Sequence, residues 1–167
     1  NYLGHFLLTL LLLPAVQKAH GRVINTSSLA SMFYKRQEFP LTVDPAQYKK
    51  MRQYCESKLA LAMFARELAE RYEDVTAVSL HPGCVRTDLW NHLSLFQLLA
   101  KPFLYIFFKS PFEGSQTSMY CIHAETLKNG AYYADCAVHK HNPVLDNDTI
   151  RQKLWDDSME QIKGFLN

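Results

Sequence analysis

The chain has 167 residues, 48% of them hydrophobic and 20% charged, the composition of one globular domain with a sizeable core rather than of a disordered segment. Lysine and arginine number 18 against 16 aspartates and glutamates, a formal net charge of +2 with no block of like charges, which argues against a nucleic acid partner and against electrostatic membrane binding. The four cysteines, Cys55, Cys84, Cys121 and Cys136, include no Cys-x-x-Cys pair and read as reduced core or site-lining thiols, as suits an intracellular protein.

The chain begins at Asn1 rather than at a methionine, already in what reads as the interior of an element, as expected of the C-terminal part of a longer protein. Tyr2 to Ala15 are almost continuously apolar, too short a run to span a membrane, and fit a buried helix. A secretory leader with Phe6 to Leu13 as its apolar core would need a basic start, which is not present. Gly21-Arg22 breaks the pattern, and Val23-Ile-Asn-Thr-Ser-Ser28 reads as a buried strand ending in hydroxyls. Residues 31 to 46, with Pro40 and Pro45 and no clear period, read as a loop, and the short basic run Tyr48 to Arg52 as a solvated loop or helix start. From Gln47 to Tyr72 the apolar residues Leu61, Phe64, Ala65 and Leu68 recur at helical steps.

Val75 to Leu80 is a second strand, stopped by His81-Pro82-Gly83. Residues 86 to 124 read as helix in pieces, with an apolar stretch from Leu93 to Phe108 interrupted by Lys101 and Pro102. Gly130 to Ala134 is a third strand, and Asp148 or Thr149 caps a last helix carrying Ile150, Leu154, Trp155 and Ile162. Cys136, His139 and His141 are metal-ligating types but lack a second clustered partner, so no metal site is read there. Strands separated by long helices predict an α/β fold with parallel βαβ units in an open sheet.

In such sheets ligands bind beyond the carboxyl ends of the strands. Three features converge there: Ser27 and Ser28 after the first strand, His81-Pro82-Gly83 after the second, and Tyr54 and Lys58 at the start of the helix between them. Four residues apart on a helix, Tyr54 and Lys58 share one face. A phenol beside an ammonium is a proton-transfer device, because the positive charge favours the phenolate. Bringing a phenol from about 10 to working pH takes roughly 4 kcal/mol of differential stabilisation, within reach of one cation and oriented hydrogen bonds in a partly dry site. The spacing alone is near chance in a chain with 9 tyrosines, and Tyr105 and Lys109 repeat it. Only the first pair has strand-end hydroxyls and a Pro-Gly turn around it, so Tyr105 reads as packing. A serine that holds a carbonyl or alcohol oxygen, a tyrosine that gives or takes its proton and a lysine that tunes the tyrosine suit hydride transfer to or from a nicotinamide.

Five blocks in order, Asn1-Tyr-Leu-Gly-His-Phe-Leu-Leu-Thr9, Arg22-Val-Ile-Asn-Thr-Ser-Ser28, Tyr54-Cys-Glu-Ser-Lys58, His81-Pro-Gly-Cys-Val-Arg-Thr87 and Phe108-Lys-Ser-Pro-Phe-Glu-Gly114, resemble the C-terminal two-thirds of a short-chain dehydrogenase/reductase, in the retinol dehydrogenase-like branch. The resemblance implies a Rossmann-like doubly wound parallel sheet, with residues 1–167 forming one partial domain. It implies that Asn1 holds a water of the proton relay, that Ser28 and Tyr54 are catalytic, and that Lys58 lowers the tyrosine pKa and contacts the nicotinamide ribose. Tyr54 is expected to bind the cofactor beside Lys58, and Pro82, Gly83, Val85 and Thr87 match the turn that cradles the nicotinamide. The cofactor implied is NADP or NAD, with NADP favoured by the resemblance. The 26 residues from Ser28 to Tyr54 are about twice the usual family gap, and the retinol dehydrogenase branch has a similar insertion.

No Gly-x-x-x-Gly-x-Gly loop occurs among the six glycines, and neither does the Asn-Asn-Ala-Gly strand, so the pyrophosphate-binding half is expected outside this sequence. The parent activity expected is NAD(P)-dependent interconversion of an alcohol and a carbonyl on a small apolar substrate, such as a retinoid, steroid or lipid aldehyde. The stretch from Leu93 to Phe108 follows the nicotinamide turn, where a substrate lid would sit; packing, a homodimer contact or peripheral membrane association are its other readings. A truncated or non-catalytic binding module is the alternative function, and the intact set Asn1, Ser28, Tyr54 and Lys58 argues against it.

Overall fold

The computed structural model describes residues 1–86 and 108–166. Thr87, Tyr105 and all of the Leu93 to Phe108 stretch except Phe108 lie outside the described residues. Among the described residues four strands form one sheet in the order β1 (Arg22–Thr26), β2 (Thr76–Leu80), β3 (Tyr132–Ala134) and β4 (Ala137–Val138). The first three are parallel, with Arg22 opposite Thr76 and Ser79 opposite Tyr132. β4 returns antiparallel on β3, with Ala134 opposite Ala137. The sheet is therefore mostly parallel, with an antiparallel edge that the sequence reading did not contain. Asp135 and Cys136 both have positive φ, the conformation a two-residue hairpin turn requires.

The alternation of strand side chains separates two cores. Val23, Ala77 and Tyr132 face α1 (Leu3–Lys18), α2 (Lys50–Arg71) and α4 (Asp148–Ile162), where Phe6, Phe64 and Trp155 pack ring against ring. Ile24, Val78, Leu80 and Tyr133 face the other way and pack with Cys121 of α3 (Pro111–His123). Helices on both faces of a largely parallel sheet make this the Rossmann-like architecture expected.

Three boundaries differ from the sequence reading. α1 is not a buried helix: Phe6 and Leu13 are buried, but Leu8, Leu11 and Leu12 on its other side are more than half exposed. β1 is the edge of the described sheet, so no described strand extends the core toward that face. The cap of α4 is Asn147, one residue before the two candidates, its side chain accepting the Ile150 N–H at 3.1 Å. The loop over 31–46 contains two short 3₁₀ turns, Leu29–Phe33 and Pro45–Gln47. It is tied down by buried Asn142, whose amide donates to Ser31 O and Tyr34 O.

Arg22 joins β1 to the C-terminus of α3. Its guanidinium donates to the carbonyls of Cys121, Ile122, Ala124 and Glu125 at 2.6 to 3.2 Å. Those carbonyls lack intrahelical donors, and a cation there also complements the helix dipole. Arg22→Ala is expected to lower unfolding stability by about 2 kcal/mol, the scale of hydrogen bonds to a charged group. A urea titration checks it; an unchanged midpoint would show that water replaces the guanidinium without loss.

Candidate active site

The carboxyl ends of β1 and β2 are joined side by side. Ser27 N–H donates to Leu80 O at 2.7 Å, and His81 N–H donates to Tyr133 O at 3.0 Å, so the residues after each strand emerge on one rim. Helix α2 is clamped against that rim. Ser27, which is buried, donates its hydroxyl to Lys58 O at 2.6 Å, and Lys58 Nζ donates to Thr26 O at 3.0 Å. Both bonds hold the helix at Lys58, in its third turn, and Ser27 is thereby a structural residue. Ser28, the neighbour with the proposed chemistry, is half-buried. Its Oγ accepts the Ala30 N–H at 3.2 Å as the cap of the 3₁₀ turn, which leaves the O–H proton available to donate.

Tyr54 lies on the second turn of α2 and is 38% exposed. Lys58 Nζ sits 5.8 Å from its ring centroid, within range of a cation–π contact. Burial pulls the Lys58 ammonium below the ordinary lysine range. α2 has no side-chain cap at Lys49; instead Gln53 Oε1 accepts the Lys49 N–H at 2.8 Å, securing the turn that precedes Tyr54. Asn1 is exposed just before α1 and lines a cleft of about 280 Å³ with Gln53, Glu56 and Ser57 of α2. The residues of α2 that Asn1 meets in this cleft are thus not Tyr54 and Lys58. Burial raises the Glu56 carboxyl, opposed by hydrogen bonding to Tyr34 and by Arg52 and Arg36.

The turn after β2 is built for a close backbone approach. Gly83 has φ +85°, and a Cβ there would come within 3.3 Å of the Lys109 side chain. Val85 pairs with Lys109 in a parallel bridge, with Lys109 N–H on Cys84 O and Arg86 N–H on Lys109 O, both at 2.9 Å. Pro82 and Gly83 are part-buried beside this bridge. The block from Phe108 to Gly114, matched above only by likeness, thus has a local reason. Lys109 braces the turn through its backbone and ion-pairs with Asp135 through its ammonium. Ser110 and Glu113 form a reciprocal capping box on α3, with Pro111 at the first position. Backbone and side-chain bonds from Ser110 lower the Glu113 carboxyl. Gly114 leaves room for Val85, whose Cγ2 would lie 2.5 Å from an added Cβ.

A profile of the short chain dehydrogenase family matches residues 1–97. The chain belongs to the short-chain dehydrogenase family. It is 41% identical to retinol dehydrogenase 12 of Homo sapiens over 97% of this chain and 52% of that protein. It is 40% identical to retinol dehydrogenase 14 of Mus musculus over 99% of this chain and 52% of that protein. Retinol dehydrogenase 13 of Mus musculus is 36% identical over 97% and 52% respectively. The chain thus spans about half the length of the curated relatives it matches.

One residue of this short-chain dehydrogenase rim escaped the sequence reading. Tyr132 of β3 is buried, and its hydroxyl donates to Ser28 O at 3.0 Å and lies 3.3 Å from Ser31 Oγ. Burial raises its phenol, so it stays neutral and fixes the backbone that presents Ser28. A tyrosine in a fully buried strand was the available signal, since its hydroxyl needs a buried partner. Among the described residues no group of three His, Cys, Asp or Glu side chains is arranged to hold a metal, and His141 instead pairs with Asp146 at 2.9 Å. No described helix is long and apolar enough to cross a membrane.

Proposed function

We propose that this chain carries the substrate and nicotinamide side of an NAD(P)-dependent alcohol/carbonyl oxidoreductase. The observation that carries the reading is Lys58, anchored on Thr26 O at the end of β1 and 5.8 Å from the Tyr54 ring. That places a cation and a phenol on the strand rim where ligands of such sheets bind. The names of the relatives favour a retinoid among apolar substrates, with a steroid or lipid aldehyde as the wider class. The glycine-rich pyrophosphate loop is assigned to sequence outside these 167 residues.

The residues present fit the nicotinamide end: Gly83 provides backbone without a Cβ, and Lys58 provides a donor. Lys58, Pro82, Gly83, Val85 and Thr87 would hold it, NADP before NAD on the family likeness. When bound, the nicotinamide supplies or accepts the hydride. Ser28 donates its hydroxyl proton to the substrate oxygen and orients it. Tyr54 moves the proton to or from that oxygen, with the Lys58 ammonium beside its ring. The family likeness gives Asn1 a water of the proton relay, although in its cleft it meets Gln53, Glu56 and Ser57 rather than Tyr54 and Lys58.

The test is steady-state turnover of the full-length protein with NADH and NADPH against all-trans-retinal, a steroid ketone and a medium-chain aldehyde. Cofactor oxidation with at least one substrate is expected, fastest with the retinoid. Folded protein that neither binds nor oxidises either cofactor would instead support the non-catalytic module.

A further inference from the structure

The turn after β2 contains a histidine to which no role has been given. His81 is 7% exposed. Its Nδ1 accepts the Gly83 N–H at 3.1 Å. A nitrogen that accepts is unprotonated, so the ring is neutral with its proton on Nε2. Nε2 is itself buried and has no hydrogen-bond partner among the described residues. The bond is the imidazole counterpart of a turn closed by an Asn or Asp oxygen onto the N–H two residues on. It holds Gly83 at φ +85° against Lys109, the backbone position argued above to meet the nicotinamide.

We propose that His81 is the positioning residue of the Pro82–Gly83 turn: its neutral ring holds the Gly83 N–H, and protonation releases the turn and weakens cofactor binding. The inference rests on the functional reading given above for the turn itself. Its chemistry is a conflict of donors. A protonated Nδ1–H would face the Gly83 N–H, and the Nε2–H charge would remain buried without an acceptor, so the ring must turn or the loop must move.

The groups facing the ring come from three sides. Tyr132 of β3 lies 5.7 Å away, and His139, just after β4, meets it edge-on at 5.6 Å between centroids. Asp135 of the β3–β4 turn and Lys109 act at longer range and are paired with each other, so their fields oppose. Burial first, then His139, lowers His81 below the ordinary histidine value of 6.5, with Asp135 opposing. The neutral ring is thus favoured in the folded protein. Its contribution to stability is complete above 6.5 and is lost as pH falls through the lowered folded value.

The experiment measures NADH and NADPH affinity of the full-length protein by fluorescence between about pH 5 and 8. It compares the wild type with His81→Asn, which keeps an acceptor that does not titrate, and His81→Leu, which keeps neither. Hydrogen exchange of the Gly83 amide is followed in the same samples. The wild type is expected to lose about tenfold in affinity on acidification, with faster Gly83 exchange. His81→Asn should bind within about threefold of the wild type near pH 8 and lose this acid limb. His81→Leu should bind about tenfold more weakly throughout, the scale of one lost hydrogen bond. If His81→Asn behaves like His81→Leu, the ring acts by packing and the proposal falls; if it keeps the acid limb, another group titrates and the proposal also falls. If no variant binds either cofactor, the functional reading fails, and Gly83 exchange alone decides whether His81 holds the turn.

Discussion

Tyr54→Phe in the full-length protein is expected to lower kcat by about 10²- to 10⁴-fold, the contribution of a positioned general acid or base. That corresponds to about 3 to 5 kcal/mol of transition-state stabilisation. Affinity for NAD(P)H should change by less than about threefold, since the ring remains to pack against Lys58 and only the proton donor is lost. The position is permissive for the test because Tyr54 is 38% exposed and its side chain fills no core site. Lys58→Met separates the two members of the pair. It removes the bond to Thr26 O as well as the cation, so it should weaken cofactor affinity as well as lower turnover. Tyr105→Phe, at the other tyrosine with a lysine four residues on, should change kcat by less than about twofold, far below the general-acid scale. Equal losses at Tyr54 and Tyr105 would mean that the wrong tyrosine has been chosen.

Gly114→Val is expected to destabilise the protein by about 1 to 3 kcal/mol and to weaken cofactor binding, while Gly114→Ala should separate the two effects. An added Cβ would lie 2.5 Å from Val85 Cγ2 and 3.0 Å from Cγ1, so rotating one methyl away brings the other in. The Val85 turn must therefore shift. Replacing a helical glycine by alanine returns about 1 kcal/mol of helix propensity, enough to offset a small overpacking strain. Gly114→Ala should accordingly melt near the wild-type temperature yet bind NAD(P)H several-fold more weakly, because the displaced segment is the proposed nicotinamide turn. Valine regains less propensity and adds two more methyls, so stability falls as well. Thermal melts and cofactor titrations on both variants check this; wild-type affinity in Gly114→Val would show that the turn moves without consequence.

Much of the fold was legible because local patterns and the tertiary answer agreed. The Leu61 to Leu68 periodicity and the stop at His81-Pro82-Gly83 each became the element expected, and the run from Val23 became β1, which ends at Thr26 and buries only Asn25. β4 was not legible, because Ala134-Asp-Cys-Ala137 has none of the glycine or asparagine chemistry that announces a two-residue hairpin. α1 misled in the other direction. An unbroken apolar run states that a helix avoids water, but not which neighbours cover it, and Leu8, Leu11 and Leu12 stand exposed beyond the edge strand.

By itself the sequence determined the chemistry on offer: a phenol, an ammonium, strand-end hydroxyls and a Pro-Gly turn, in the order of the short-chain dehydrogenase family. It also singled out Tyr54 and Lys58 from the equally spaced Tyr105 and Lys109, not by the four-residue helical step but by the strand-end hydroxyls and the Pro-Gly turn around them. The family likeness picked Ser28, and only the tertiary structure shows how the adjacent serines differ: Ser27 is buried with its hydroxyl on Lys58 O, while Ser28 is half-buried and accepts the Ala30 N–H. Only it brought Tyr132 beneath Ser28, across 104 positions, and Lys109 and Gly114 against the turn at Gly83 and Val85. Contacts of that kind are set by strand register and helix docking, and no local propensity encodes them.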